Sequence, residues 1–325
     1  MWSKVHEYIH DHEKFVVTTH VHPDGDAVGS EIALAAFLES LGKRVSIINS
    51  SPTARNNAFL DPRGKIMVYP GGGSARALEG AEVAFILDVN NWPHLGAFGE
   101  ALRKSNTPRI CIDHHQGADV GFADVVVSDT TAAATGLLMY ELILAMKGEI
   151  TTPIADAVFA TLVTDTGTFR FSNTDERVFR AAADLCARGV EPFAIHRRVF
   201  SKTGGAVRLL GAVLRTLSFA DDGKIAWIHA SREMFAAAEA DYEDSDGILD
   251  VVRAVEGVEY CLFFKGLGDG KVKISLRSNG KVDVHQIAKT LGGGGHRMAA
   301  GVTVDGPIDG AIASVVKTCA ETFRP

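Results

Sequence analysis

Hydrophobic positions in the first half of the chain fall into short, nearly continuous runs, separated by longer stretches in which apolar residues recur at helical spacing. Phe15 to Thr18, Arg44 to Ile48, Val83 to Leu87 and Arg109 to Ile112 are too short for helices and lack the polar alternation of a half-exposed sheet, so they read as buried strands. After the first of them the Pro23-Asp24-Gly25 step makes a turn, and Ala27 to Leu41 continues with a helical pattern. Strand and helix alternating in this order predict an α/β fold, a doubly wound and mainly parallel sheet. Helical segments follow near Thr131 to Met146, Pro153 to Leu162, Asp175 to Arg188 and Pro192 to Phe200. Strand-forming sequence resumes at Lys224 to His229, Val258 to Phe264 and Lys271 to Leu276, with helices around Val284 to Thr290 and Asp309 to Thr322. The pattern therefore predicts an N-terminal domain over residues 1–188, a helical connector over 189–212 and a smaller α/β domain over 213–325.

Composition narrows the class without naming a function. A length of 325 residues suits two domains, and 46% hydrophobic with 22% charged residues is ordinary for a globular protein. A formal net charge of -7 argues against a protein that grips long duplex nucleic acid across its surface, and leaves small anionic substrates open. Cys111, Cys186, Cys261 and Cys319 are widely spaced and form no CxxC pair, so neither a zinc knuckle nor a disulfide framework is indicated. The first residues lack the basic start and apolar stretch of a signal peptide, and no run reaches membrane-spanning length. A reducing, cytoplasmic location without membrane attachment is the simplest expectation; the oligomeric state is not legible.

The polar residues that end the apolar runs carry the chemistry. His20-Val21-His22-Pro23-Asp24-Gly25-Asp26 crowds nitrogen and oxygen donors directly after the first strand, which suits a hard divalent cation at the carboxyl edge of a sheet. Asp24 and Asp26, two apart, cannot serve one ion with identical geometry, which favours two neighbouring ions; the plainer alternative is a helix cap at Asp26. Asp88 ends Ala84-Phe85-Ile86-Leu87, and Asp113-His114-His115 ends Ile110-Cys111-Ile112. Adjacent histidines on an extended chain point apart, so one can bind metal while the other faces substrate. Asp165 follows the apolar helical stretch of Thr161 to Thr164, and Arg170 comes shortly after it. Each cluster alone is weak; four at successive element ends make one site. By contrast His6, His10 and His12 lie among polar residues and read as a solvated face. In the second half, Gly292, Gly293, Gly294 and Gly295 let backbone amides approach an anion, with His296 beside them and Arg277-Ser278 ending a strand.

These motifs in this order resemble the DHH phosphoesterase family, named for the triplet seen here as Asp113-His114-His115, and Leu291 to Gly301 resembles the glycine-rich loop of the DHH-associated domain. The match spans residues 15–301, and within the family the layout is similar to the group of nano-RNases and 3'-phosphoadenosine-5'-phosphate (pAp) phosphatases. The resemblance implies a site for two divalent ions, usually manganese: His20 and Asp24 on one, Asp26, His114 and Asp165 on the other, and Asp88 bridging them. It implies that Asp113 orients a histidine, that His115 faces the scissile phosphate, and that Arg277, Ser278, the glycine loop and His296 bind substrate; Arg170, by its position just after Asp165, is a further substrate-binding candidate, with a surface arginine the equal alternative. The implied reaction is hydrolysis of very short single-stranded oligonucleotides to 5'-mononucleotides, with removal of the 3'-phosphate of pAp, and the cleft between domains would limit substrate length. Alternatives are a cyclic-dinucleotide phosphodiesterase and a non-catalytic nucleotide or RNA sensor of the same fold. The chain departs from the family pattern at Trp92-Pro93-His94-Leu95-Gly96, where His94 stands in place of a common arginine.

Overall fold

In the computed structural model, which describes residues 1–117 and 119–322, the apolar runs of the first half form a six-stranded parallel sheet. Its strands are β1 (Lys14–Thr18), β2 (Arg44–Asn49), β3 (Ile66–Val68), β4 (Val83–Leu87), β5 (Arg109–Asp113) and β6 (Val125–Ser128), in the order β3-β2-β1-β4-β5-β6. The connecting helices are α1 (Ser3–Asp11), α2 (Gly25–Ser40), α3 (Ser74–Glu79), α4 (Gly96–Lys104), α5 (Thr135–Ala145), α6 (Thr152–Asp165), α7 (Glu176–Ala187) and α8 (Pro192–Val199). Period-two alternation sends Phe15, Val17, Phe85 and Leu87 to one face, against α2, α5 and α6, while Val16, Ala84, Ile86 and Cys111 meet Leu95, just before α4, and Phe98 and Leu102 on it. Both faces are thus dry, which is why these strands are continuous apolar runs.

The strand order reverses between β1 and β4, and the crevice beyond the carboxyl ends at such a switch point is where open α/β sheets bind ligands. Three helices close over that edge at glycine contacts: a Cβ on Gly25 would strike Thr164, and one on Gly29 or Gly136 would strike Thr161. Close approach of α2, α5 and α6 therefore depends on these three glycines.

Two compact units divide between Ser201 and Lys202. The second contains α9 (Gly204–Leu214), β7 (Ser218–Ala220), β8 (Ile225–Ala230), α10 (Arg232–Ala238), α11 (Ile248–Arg253), β9 (Tyr260–Gly268), β10 (Lys271–Ser278), α12 (Val284–Thr290), β11 (Gly294–His296), β12 (Ala299–Asp305) and α13 (Ile308–Thr322). Its mixed sheet runs β11-β12-β10-β9-β8-β7, parallel only between β8 and β9. α12 and α13 cover one face through Val284, Ile287, Val315 and Cys319.

The structure differs from the sequence reading in several places, β7, α10, α11 and β12 of the second unit among them, which the apolar pattern does not mark. β3 and β6, three and four residues long at the sheet edges, carry too little apolar pattern to read. α5 begins at Thr135 rather than Thr131, because Thr131 to Ala134 run in non-helical backbone into the site. The glycine run is in part a strand: Gly294 and Gly295 pair with Gly301 and Ala300. No helix of the described residues is long and apolar enough to cross a membrane.

Candidate active site

The carboxyl ends of β1, β4 and β5 bring His20, Asp88 and His114 together, and α2 and α6 add Asp24, Asp26 and Asp165. Among the described residues three groups of side chains have donor atoms close enough to hold a metal ion: His20, Asp24 and Asp88; Asp26, His114 and Asp165; and Asp88, His114 and His115. His6, His10 and His12 join none of them.

Specific contacts aim five of the six side chains that these strand and helix ends bring together. His20 Nδ1 donates to the carbonyl of Val21 at 2.9 Å, which leaves the Nε2 lone pair 3.6 Å from Asp88 Oδ2 and 4.0 Å from Asp24 Oδ1. His114 Nδ1 donates to the carbonyl of Ala132 at 3.1 Å, so its Nε2 faces Asp165, Asp88 and Asp26 oxygens at 3.4, 3.5 and 3.7 Å. The cap on α2 is Asp24, not Asp26: Asp24 Oδ1 accepts from the N–H groups of Asp26 and Ala27. Asp26 instead receives the N–H groups of Thr135 and Gly136 at 2.6 and 2.9 Å, so the positive end of α5 supports its charge. Asp88 holds a left-handed backbone, φ 60°, with its N–H on the carbonyl of Ile112, and its Oδ1 accepts from Thr135 Oγ1 at 3.0 Å.

The Nε2 atoms of two histidines therefore face carboxylate oxygens at 3.4–4.0 Å. His114 Nε2 is buried and has no hydrogen-bond partner. Burial pushes the carboxyls of Asp88 and Asp165 well above the usual range, and the neighbouring aspartates push further in the same direction. Asp26 is also raised, first by burial, with His114 opposing. Crowded acceptors of one sign are what a divalent cation neutralises, so the donor set fits metal.

His115 is different in kind. Its ring stands 4.4 Å from that of His114, its side chain is 56% exposed, and Nδ1 donates to buried Asp113 Oδ1 at 2.8 Å. That bond to Asp113 raises the imidazole pKa and fixes the ring with Nε2 free to act. Arg170 is exposed, with Nε donating to the carbonyl of Gly167 at 2.6 Å. His94 is exposed and its carbonyl accepts from Val21 N–H at 2.7 Å, which seats the 91–94 turn against the segment that follows His20.

In the second unit Arg277 is half-buried on β10, with Nη1 donating to the carbonyl of Leu276. Ser278, expected to touch substrate, is fully buried: its hydroxyl donates to Val282 O at 2.6 Å and accepts from Gly280 N–H at 3.0 Å, so it holds a turn. Two of the four glycines serve packing, since a Cβ on Gly293 would meet the backbone of Gly301, and one on Gly295 would meet that of Ala299 and Ala300. Gly292 and Gly294 face open space. His296 ends β11, and its side chain lies outside what is described.

Backbone groups, the Thr135 hydroxyl and the Asn173 amide account for what the sequence reading missed. Ala132, Thr135 and Gly136 hold three ligands, and Asn173 Nδ2 donates to the carbonyls of Asp165 and Ala133 at 3.0 and 3.1 Å. Only the run of small residues before α5 hints at this, since small side chains allow close approach.

A doubly wound sheet with histidine and aspartate donors at its switch point, followed by a mixed-sheet unit, defines a class. Residues 14–164 match the DHH family, N-terminal domain, and residues 229–324 match the DHHA1 domain; the chain belongs to the DHH family of phosphoesterases. It is 36% identical over 295 residues to the bifunctional oligoribonuclease and PAP phosphatase NrnA of Thermus thermophilus, covering 89% of this chain and 84% of that protein. Identity to the NrnA of Bacillus subtilis is 23% over 296 residues, 90% of each chain. Among solved structures, an exopolyphosphatase-related protein from Bacteroides fragilis superposes with a TM-score of 0.93 at 26% identity, covering 98% of this chain and 94% of that one. The fold is shared with an exonuclease RecJ bound to manganese, TM-score 0.55 at 13% identity over 99% and 94% of the two chains.

Proposed function

We propose that this protein is a two-cation phosphoesterase that hydrolyses very short oligonucleotides to 5'-mononucleotides and removes the 3'-phosphate of pAp. One observation carries the reading: two metal-capable groups, His20/Asp24/Asp88 and Asp26/His114/Asp165, meet at Asp88, whose Oδ1 and Oδ2 face different histidines. Asp88 would bridge two ions, with manganese the expected metal. The substrate class is supported by the names of the relatives that align over most of both chains.

The chemistry such a cation pair supplies is a water of lowered pKa and neutralised phosphate oxygens. His20, Asp24, Asp26, Asp88, His114 and Asp165 would hold the pair. Asp113 keeps His115 in one tautomer and raises its pKa, which favours the protonated ring; in that form its Nε2–H would meet the charge on the phosphoryl or leaving oxygen. Arg170, placed shortly after Asp165, offers a further cation to the substrate. In the second unit Arg277 supplies a forked donor, and the absence of side chains at Gly292 and Gly294 leaves room for an anion, so residues 213–325 act in substrate recognition and residues 1–188 in catalysis, joined by 189–212.

A panel of dinucleotides, longer oligonucleotides, pAp, cyclic dinucleotides and pyrophosphate, incubated with Mn²⁺, tests the proposal. Release of 5'-mononucleotides from dinucleotides and of phosphate from pAp is expected. Turnover of cyclic dinucleotides alone would move the function to the cyclic class, and turnover of nothing would overturn catalysis.

A further inference from the structure

We propose that Thr135 is a positioning residue that orients the bridging carboxylate of Asp88 and, through its backbone, Asp26. The inference rests on the metal-site reading above and names a residue that reading does not use.

Thr135 is fully buried at the first turn of α5. Its Oγ1 donates to Asp88 Oδ1 at 3.0 Å and its N–H donates to Asp26 Oδ2 at 2.6 Å, so one residue touches an acid from each metal-capable group. The surrounding segment holds Asp26 again and two further acids or histidines: Gly136 N–H holds Asp26, the carbonyl of Ala132 holds His114, and that of Ala133 is tied through Asn173 to the Asp165 carbonyl. Every contact to a ligand in residues 132–136 comes from the backbone except one, the Thr135 hydroxyl.

Two physical points favour orientation over packing. A hydroxyl buried without a partner costs stability, and a threonine within a helix commonly bonds to the carbonyl one turn earlier. At the first residue of α5 that turn does not exist, and the hydroxyl is committed to Asp88. Asp88 has a backbone fixed in the left-handed region, so the orientation of its carboxylate is set by its side-chain torsions, and the bond from Thr135 selects among them. Partners that orient metal ligands in this way typically carry about 10- to 100-fold in affinity or activity.

The test compares Thr135→Val, which keeps the shape and loses the donor, with Thr135→Ser, which restores it. Mn²⁺ binding is read by calorimetry, kcat and KM on a dinucleotide, and Tm in chelator. Thr135→Val is expected to weaken Mn²⁺ binding and lower kcat about 10- to 100-fold with KM nearly unchanged, and Thr135→Ser to recover most of both. Should Thr135→Val not fold, Thr135→Ala takes its place with the same expectation. A lowered Tm in chelator with Mn²⁺ binding and kcat like the wild type would make Thr135 merely structural and overturn the inference, as would a serine variant as impaired as the valine. Wild-type protein that binds no Mn²⁺ would overturn the metal reading itself, a different result from wild-type-like binding by Thr135→Val.

Discussion

Glu31→Gln is expected to make the protein more stable, and increasingly so as pH rises. Glu31 lies in α2, fully buried; Oε2 accepts from Asn49 Nδ2 at 2.9 Å and Oε1 has no partner. Burial pushes the carboxyl up from 4.5 to about 8, with the Asn49 bond and His20 opposing. A carboxyl whose pKa is higher folded than unfolded favours folding fully below the unfolded value. That contribution is lost as pH rises from 4.5 towards 8 and does not fall further above it. With those two pKa values, ionisation costs the fold about 1 kcal/mol at pH 5, about 3 at pH 7 and nearly 5 at pH 9, as orders of magnitude. Glutamine copies the shape and hydrogen bond of the neutral acid, so the variant lacks this slope while every other group titrates alike in both proteins. Scanning calorimetry in chelator, following the transition of residues 1–201, reads the difference. At 2–4 °C per kcal/mol for a unit of this size, the variant should melt only about 2–4 °C above the wild type at pH 5 and at least about 10 °C above it at pH 9. A Tm gap that does not change with pH, or a wild type more stable at pH 9, would refute the reasoning.

Three further outcomes follow from other parts of the structure. Gly136→Ala drives a methyl into Thr161 and should cost about 1–3 kcal/mol of stability by urea titration, with weaker Mn²⁺ binding because the N–H groups on Asp26 move; an unchanged midpoint and isotherm would count against the close approach of α5 and α6. Lys265 is buried with Nζ on Ser245 Oγ and above the Tyr242 ring, and burial lowers its pKa, so the stability of the second unit should rise as pH climbs towards 10.5, and Lys265→Met should abolish that rise in pH-dependent urea unfolding. Mn²⁺ at a hundred times its Kd should stabilise the first unit by about 2.7 kcal/mol per ion, measured as a Tm increase reversed by chelator; no shift would argue against a preformed site.

The strands that position the site are legible because a parallel strand dry on both faces is a continuous apolar run, and Asp88, Asp113 and His114 stand out where such runs stop. β3 and β6 leave no such mark, being short and at the edges. The acids at Asp24 and Asp26 are visible as a pair, but their division of labour is not: Asp24 caps α2 because its side chain reaches back to N–H groups, while Asp26 finds the N-terminus of α5 more than a hundred residues away. Residues 132–136 are silent for a related reason. Backbone donors and acceptors have no residue type, and a run of alanines reads as helix. Ser278 shows the converse error, a polar residue at a strand end whose hydroxyl is consumed by its own turn.

The central claim is that Asp88 joins two cation sites in one catalytic centre. Its most direct test is the rate at which a 5'-labelled dinucleotide is converted to mononucleotides with saturating Mn²⁺, compared between the wild type and Asp88→Asn. The account predicts steady release of 5'-mononucleotides by the wild type and a loss of at least about a hundredfold in kcat for the variant, as removal of a ligand shared by both ions requires. Equal rates from the two proteins would contradict it.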